Sequence, residues 1–327
     1  MDNFTHSLAG WAVGQTGLKT KTRKGLAALI LAANMPDIDV FMGASGWGPL
    51  ETHRGWSHGL VGGVLLLPPV LAGLLWLLDR WQVRRNVTFP SGLAMNFKWL
   101  VALCYIGAIT HPLLDLQNTY AVQLLSPFDF GWFHNDALFI IDVWLWVMLC
   151  FGIGISRFRE RAGRPKWRRP AIIAVMAVIA YIGGNTALSQ WAKHQLIAEG
   201  HAKAPDAVFA SPQPIDSLAR EMMWREQGVI HRASWTPWGG YSNFRAPYPD
   251  GMSDPLAREG MTVSPRLIRF FRWSVTPIAT VERKGCGATV TYGDARYSDT
   301  MGRNAFRNVV NLRNDAPQCR TDGLAKL

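Results

Sequence analysis

RFRERAGRPKWRR, residues 157–169, sets seven basic residues and a single acid between two long apolar runs, Ala137–Ser156 and Ala171–Gln190. Two further basic stretches, KTKTRK (19–24) and RWQVRR (80–85), also lie between apolar segments. Short basic loops separating hydrophobic spans are the positive-inside signature of a membrane protein. The chain has 327 residues, enough for two domains and a real core; nearly half of them are hydrophobic, 15 are Trp, and the net charge is +11. A soluble protein of that charge would point to nucleic acid. The placement of the charges excludes that partner and points to membrane lipids instead.

Working outward, Phe97–Leu116, Ala137–Ser156, Ala171–Gln190 and His58–Leu78 are each long enough to cross a bilayer, the last with a kink expected at Pro68-Pro69. Phe4–Leu18 and Gly25–Val40 are shorter and read as tilted or half-inserted helices. The expected fold is mostly α: a multi-pass membrane helix bundle of four clear spans plus two short N-terminal segments. With the three basic loops in the cytoplasm, every segment alternates correctly. The outer connections agree, since residues 41–57 hold one basic residue, Arg54, and residues 117–136 hold none. The chain after Gln190 then lies outside, which for a bacterial inner-membrane protein means the periplasm. The start does not read as a signal peptide, because it has no basic n-region and carries Asp2 and His6.

Residues 191–327 differ in kind from residues 1–190. They contain no span, many Pro, Gly and aromatic residues, and short β-type runs at Leu267–Trp273, Ile278–Glu282 and Ala288–Tyr292, with the turn signal KGCG between the last two. The reading is a β-rich extramembrane domain. Cys104 and Cys150 fall inside spans as apolar residues; Cys286 and Cys319 fall in the tail, where an oxidising compartment allows a disulfide. The aromatic stretch WTPWGGYSNFRAPY (235–248) fits either a lid along the headgroups or core packing. Arg266, Arg269, Arg272, Arg283 and Arg296 make the tail basic and suited to anionic lipid.

His6, Asp37, Asp39, His53, His58, His111, Asp115, Asp136 and Asp142 all fall near the outer end of a segment, whereas Asp79 lies beside RWQVRR. Ionisable groups within a membrane are costly, so they tend to have partners and functions. Imidazole and carboxylate gathered from several helices form a candidate site for a divalent metal, zinc first, with manganese or iron as alternatives. In THPLLD, His111 and Asp115 are four apart and share a helix face, unless Pro112 starts a new turn at the histidine. In NMPDID, Asp37 and Asp39 either bind a cation or end and solvate a helix. In HRGWSH, His53 and His58 are five apart with Gly55 between them, which suits a turn leading into a helix, and Arg54 beside them can balance carboxylates or hold an anion. A polar pair satisfied within the bundle is the alternative at each motif.

The order D-x-x-T-H-x-x-x-G (Asp2, Thr5, His6, Gly10), P-D-I-D, H-R-G-x-S-H and H-P-L-L-D, followed by Asn118-Thr119-Tyr120, resembles the YdjM-like family of inner-membrane proteins, described as metal-dependent hydrolases and as LexA-binding. It covers roughly residues 1–142. This chain has Ser57-His58-Gly59 where the family has S-H-S, and Asn118-Thr119-Tyr120-Ala121 where it has N-S-Y-G, with the His and Asp positions untouched. The His-x-x-x-Asp element is also loosely similar to zinc-dependent phospholipase C and P1-type nucleases, which suggests phosphoesters as a substrate class.

On the enzyme reading, His6, Asp37, Asp39, His53, His58, His111 and Asp115 hold one or more metals that activate water against an ester or phosphoester at the periplasmic face. Seven candidates exceed the ligands of one catalytic zinc, so two metals bind or some residues orient others. His53, His58, His111 and Asp115 are the expected direct ligands, and Arg54, as anion stabiliser, and Asp39 the catalytic candidates. Asp136 and Asp142 are weaker candidates. No Gly-rich phosphate loop, G-x-S-x-G or C-x-x-C occurs, so nucleotide, serine-hydrolase and thiol-redox chemistry find no support. The rival reading is a non-enzymatic membrane protein, an ion or proton pathway or a partner-docking regulator, with a structural His/Asp cluster.

Overall fold

The computed structural model describes residues 1–45, 53–298 and 306–313. It divides into two units, Met1–Gln190 with Ser211–Arg220, and Trp191–Ala210 with Glu221–Leu327.

In the first unit α1 (Asn3–Gln15) begins at Asp2, whose carboxylate accepts from the Thr5 amide at 3.0 Å, an N-cap of the usual kind. A short 3-10 turn (Leu18–Lys21) leads to α2 (Gly25–Asn34), which passes directly into a 3-10 stretch at Met35–Ser45. After a turn at Trp56–His58, a π-helical segment (Leu60–Leu66) runs into α3 (Leu67–Arg84). Pro68-Pro69 stand in the first turn of α3, where their missing N–H groups cost least, so the helix continues through them. Next come α4 (Phe97–Asp115), capped by Asn96, and α5 (Val143–Arg161), capped by Asp142. The division between the units falls inside α6 (Arg169–Ala198), after Gln190.

Among the described residues three helices are long and apolar enough to cross a membrane: Leu60–Arg84, Phe97–Asp115 and Arg169–Ala198. Three of the four expected spans are among them; the one expected at Ala137–Ser156 is not. The fifth segment starts at Val143 rather than Ala137, and its last turns carry Arg157, Arg159, Glu160 and Arg161. These residues shorten its apolar length. On α6, Ile172, Ile173, Met176 and Ile179 stay 44–66% exposed, and a helix apolar all round with its large side chains unburied is a lipid-facing element.

The centre of the bundle is α2, against which α1 and α4 pack. A Cβ on Gly10 of α1 would stand 2.7 Å from the Leu29 carbonyl oxygen, and one on Gly107 of α4 would stand 2.6 Å from the same atom. The two glycines let both helices touch α2 at the backbone, the small-residue packing typical of membrane bundles. Ala28, Leu29, Ala32, Leu100, Leu103 and Cys104 are buried around that contact. The basic stretches collect at one end of the helices: Lys19 pairs with Glu160, Arg23 with Asp79, and Lys24 reaches Gln82.

In the second part of the chain, strands β1 (Ala207–Pro212), β2 (Arg220–Glu226), β3 (Val229–Thr236) and β4 (Gly240–Ser242) form a sheet in that order, with β5 (Tyr248–Pro249) also paired to β3. A second antiparallel sheet is β6 (Pro277–Lys284), β7 (Gly287–Asp294) and β8 (Asn308–Arg313), with Lys284 opposite Gly287 at the KGCG turn. Two short helices intervene, α7 (Pro255–Gly260) and α8 (Pro265–Trp273). The strand expected at Leu267–Trp273 is thus a helix. Leu267, Phe270 and Trp273 recur every three residues on its buried face, Ser264 caps it and Pro265 opens it. Arg296 does not face lipid: it is buried and forks onto Asp294, 2.9 Å from each carboxylate oxygen. Burial pushes the Asp294 carboxyl up, but the Arg296 charge and the hydrogen bonds from Arg296 and Ser274 outweigh it and hold the group below its ordinary range. Trp235 of the aromatic stretch is buried, while Trp238 is 78% exposed. The pairing expected of Cys286 involves Cys319, which lies outside the described residues.

Candidate metal centre

His111 and Asp115 come from the last turn of α4, which continues helically through Pro112. One turn separates them, and His111 Nε2 stands 3.5 Å from Asp115 Oδ2. His58 enters from the turn before the π-helical segment and is fully buried. Its Nε2 lies 2.9 Å from His111 Nε2 and 3.4 Å from Asp115 Oδ2. Asp37, two residues past the start of the 3-10 stretch, closes the group: its Oδ1 is 3.2 Å from His58 Nε2 and 3.3 Å from His111 Nε2. One atom from each of these four buried residues converges on one point.

The tautomers follow from the outer contacts. His111 Nδ1 is 2.7 Å from the Ala33 carbonyl oxygen, which can only accept, so Nδ1 carries the proton and Nε2 presents a lone pair. His58 Nδ1 lies 3.3 Å from Asp39 Oδ2 and 3.0 Å from Ser57 Oγ, and the Ser57 hydroxyl donates to Asp39. The carboxylate again draws the proton to Nδ1, leaving Nε2 free. Two imidazole nitrogens, Asp37 Oδ1 and Asp115 Oδ2 therefore face one another, with Arg54 on the outer side of Asp115. Arg54 and the Met1 amine offset the Asp115 charge, and a metal cation or a shared proton among the four atoms would offset the rest.

The remaining candidates surround that group. His53 lies 3.0 Å from Asp39 Oδ1 but 4.0 Å from Asp37, so it forms an adjoining group with Asp39 and His58. Its side chain is 26% exposed, the most open of the cluster. His6 stacks on His111 with ring centroids 3.7 Å apart, its Nε2 3.5 Å from Asp115 Oδ1 and neither nitrogen hydrogen-bonded; the Met1 amine also meets Asp115 Oδ1. Arg54 is buried with Nε 3.1 Å from Asp115 Oδ2. Its backbone is left-handed at φ 65°, a strained state for a residue with a side chain, held by Gln123 N–H on its carbonyl at 2.9 Å. Asp136 meets His134 at 2.8 Å, and Asp142 caps α5 and accepts from Tyr181 at 3.1 Å; neither belongs to the converging groups found among the described residues.

Four contributors were not among the residues singled out by type. Ser57 and the Ala33 carbonyl orient the two histidines. Asn118 accepts from Arg54 at 2.8 Å, and the Tyr120 ring lies 4.7 Å beneath the guanidinium. The signal for these last two was the Asn118-Thr119-Tyr120 string, read as a motif without a role.

The sequence of elements that builds this centre lies wholly within residues 1–142, and a family model described as YdjM inner membrane protein matches residues 1–192. No curated protein and no solved structure matches the chain, so the looser likeness to phospholipase C and P1-type nucleases rests on residue types alone. The match takes in more than half of the length, every span but the last turns of α6, and every His and Asp of the cluster. The chain belongs to the YdjM inner membrane protein family.

Proposed function

We propose that this protein is a metal-dependent hydrolase of the inner membrane, acting on an ester or phosphoester, lipid-linked or periplasmic, at the periplasmic face. The observation that carries the reading is the convergence of two imidazole nitrogens and two carboxylate oxygens, with each nitrogen 2.9–3.5 Å from the other and from both oxygens. Ligands bonded to one zinc at about 2.0–2.1 Å in a tetrahedron stand about 3.3 Å apart, so the donor set fits in type and spacing. Asp37, His58, His111 and Asp115 would hold the ion. Such an ion, when bound, supplies Lewis acidity that lowers the pKa of water toward neutrality.

The chain's own residues supply the rest. Asp39 fixes the tautomer of His58 and joins it to His53, whose partial exposure makes the Asp39–His53 pair a path for a proton between centre and solvent. Arg54 compensates the charge of Asp115 and is the positive group nearest an anionic substrate. His6, stacked on His111 and without hydrogen bonds, can add a ligand on the Asp115 side.

A panel of carboxylic esters, phosphomonoesters and phosphodiesters, including phospholipids, tests the reading on detergent-purified, zinc- or manganese-loaded protein. Hydrolysis of one class, abolished by a chelator and reduced at least 100-fold in His58→Ala, is the expected result. Turnover equal in wild type and His58→Ala, or none across the panel by metal-loaded protein, would leave the non-enzymatic reading, with the two histidines sharing a proton across 2.9 Å.

A further inference from the structure

At the opposite end of the helices from the His/Asp group lies a cavity of about 460 Å³, between the end of α3, the α1–α2 connection and the start of α4. That volume is in the range of about 300–1,000 Å³ usual for small-molecule sites. Three arginines line it, Arg23, Arg80 and Arg84, together with Asp79, Trp76 and Phe97. Asp79 is already committed: it is buried and takes Arg23 in a fork, Nε to Oδ1 at 2.7 Å and Nη2 to Oδ2 at 2.9 Å. Arg80 and Arg84 have no carboxylate partner among the described residues, and Arg80 only stacks toward Trp76 at 5.5 Å. The cavity therefore keeps a net charge of about +2 against two aromatic walls, Trp76 and Phe97, which meet edge to face at 6.0 Å.

We propose that this cavity binds the phosphate of an anionic phospholipid, with Arg80 and Arg84 on the phosphate oxygens and the aromatic walls beside the acyl stem. The shared chemistry of a headgroup and a free phosphate is the dianionic or monoanionic oxygen cluster that guanidinium forks suit. Location favours the lipid. The cavity opens where KTKTRK and RWQVRR converge, at the basic end of lipid-exposed helices, and basic pockets between spanning helices at that end hold anionic headgroups. Leu77, Leu78 and Trp81, on the same turns of α3, are 42–57% exposed and offer the chain a continuous apolar surface. The inference does not depend on the proposed hydrolase activity, and it concerns the other end of the bundle.

The test is native mass spectrometry of the full-length protein in detergent, titrated with phosphatidylglycerol, phosphatidylcholine or inorganic phosphate. The expected result is tight binding of phosphatidylglycerol alone, weakened about 30-fold in R80Q/R84Q, the ratio for removing two basic side chains from an anionic headgroup. Both arginines are exposed, so the variant keeps its fold, which a monodisperse elution profile verifies. R161Q/R164Q removes the same charge outside the cavity and should bind as wild type. Equal weakening in both variants would reduce the effect to general charge attraction and overturn the site. Inorganic phosphate competing as well as the lipid would overturn the lipid as its occupant.

Discussion

At the residue scale the centre depends on which nitrogen of each imidazole carries a proton, and that is decided by atoms outside it. Asp39 does this for His58 and the Ala33 carbonyl does it for His111. Asp39→Asn leaves the four converging atoms in place but weakens the acceptor that draws the proton to Nδ1. Loss of such an orienting partner lowers metal affinity about 10- to 100-fold, with secondary structure unchanged, and a competitive chelator titration reads the shift. Affinity equal to wild type would make Asp39 a bystander. The residue types were legible in the sequence, because His and Asp near span ends are costly without partners. The partition among them was not. Asp37 rather than His53 completes the tight group, since the 3-10 path after Pro36 sets the two aspartates on the two nitrogens of His58, and no spacing rule in the string predicts a 3-10 stretch of that length. Asn118 and Tyr120 were visible only as a motif, because their role depends on a left-handed turn at Arg54 some sixty residues earlier.

At the scale of elements, glycine positions couple packing to the centre. Gly10 stands one turn after His6 and Gly107 one turn before His111, both against the Leu29 carbonyl of α2. Gly107→Leu would drive a side chain into that backbone, and overpacking of this kind costs about 1–3 kcal/mol. Because α4 carries His111 and Asp115 while α2 leads into Asp37, the same change should lower metal affinity as well as thermal stability. A thermal melt with a parallel chelator titration measures both, and a variant with wild-type melting and affinity would show that α2 and α4 do not need backbone contact. Among the elements, the long apolar spans and the β6–β7 hairpin were readable from hydropathy and turn chemistry. LIRFFRW was not: its aromatic and branched residues favour strand, but the buried set at Leu267, Phe270 and Trp273 and the Ser264-Pro265 start carry the helical period. The fifth segment starts later than hydropathy suggests, at Val143, because a hydropathy window does not register the break that the Asp142 cap imposes.

At the scale of the molecule, the three basic stretches meet at one end of the helices and the His/Asp group occupies the other. From positive-inside placement we propose that the basic end lies in the cytoplasm and that residues 191–327 are periplasmic. An alkaline phosphatase fused after Leu327 should be active and a fluorescent protein fused there, able to mature only in the cytoplasm, should be dark. The opposite pair of signals would carry the group to the cytoplasmic face and remove periplasmic substrates from consideration. The central claim, that four buried acceptors hold a divalent metal, is tested most directly by metal analysis of the full chain purified without chelators from cells supplied with zinc or manganese. Wild type should carry about one equivalent of divalent metal per chain, as a single four-ligand site requires. His111→Ala should carry less than about a tenth of that, since it loses both a ligand and the alignment of its partners. Equal, near-zero metal in wild type and His111→Ala would contradict the account and leave the cluster as a hydrogen-bonded polar core.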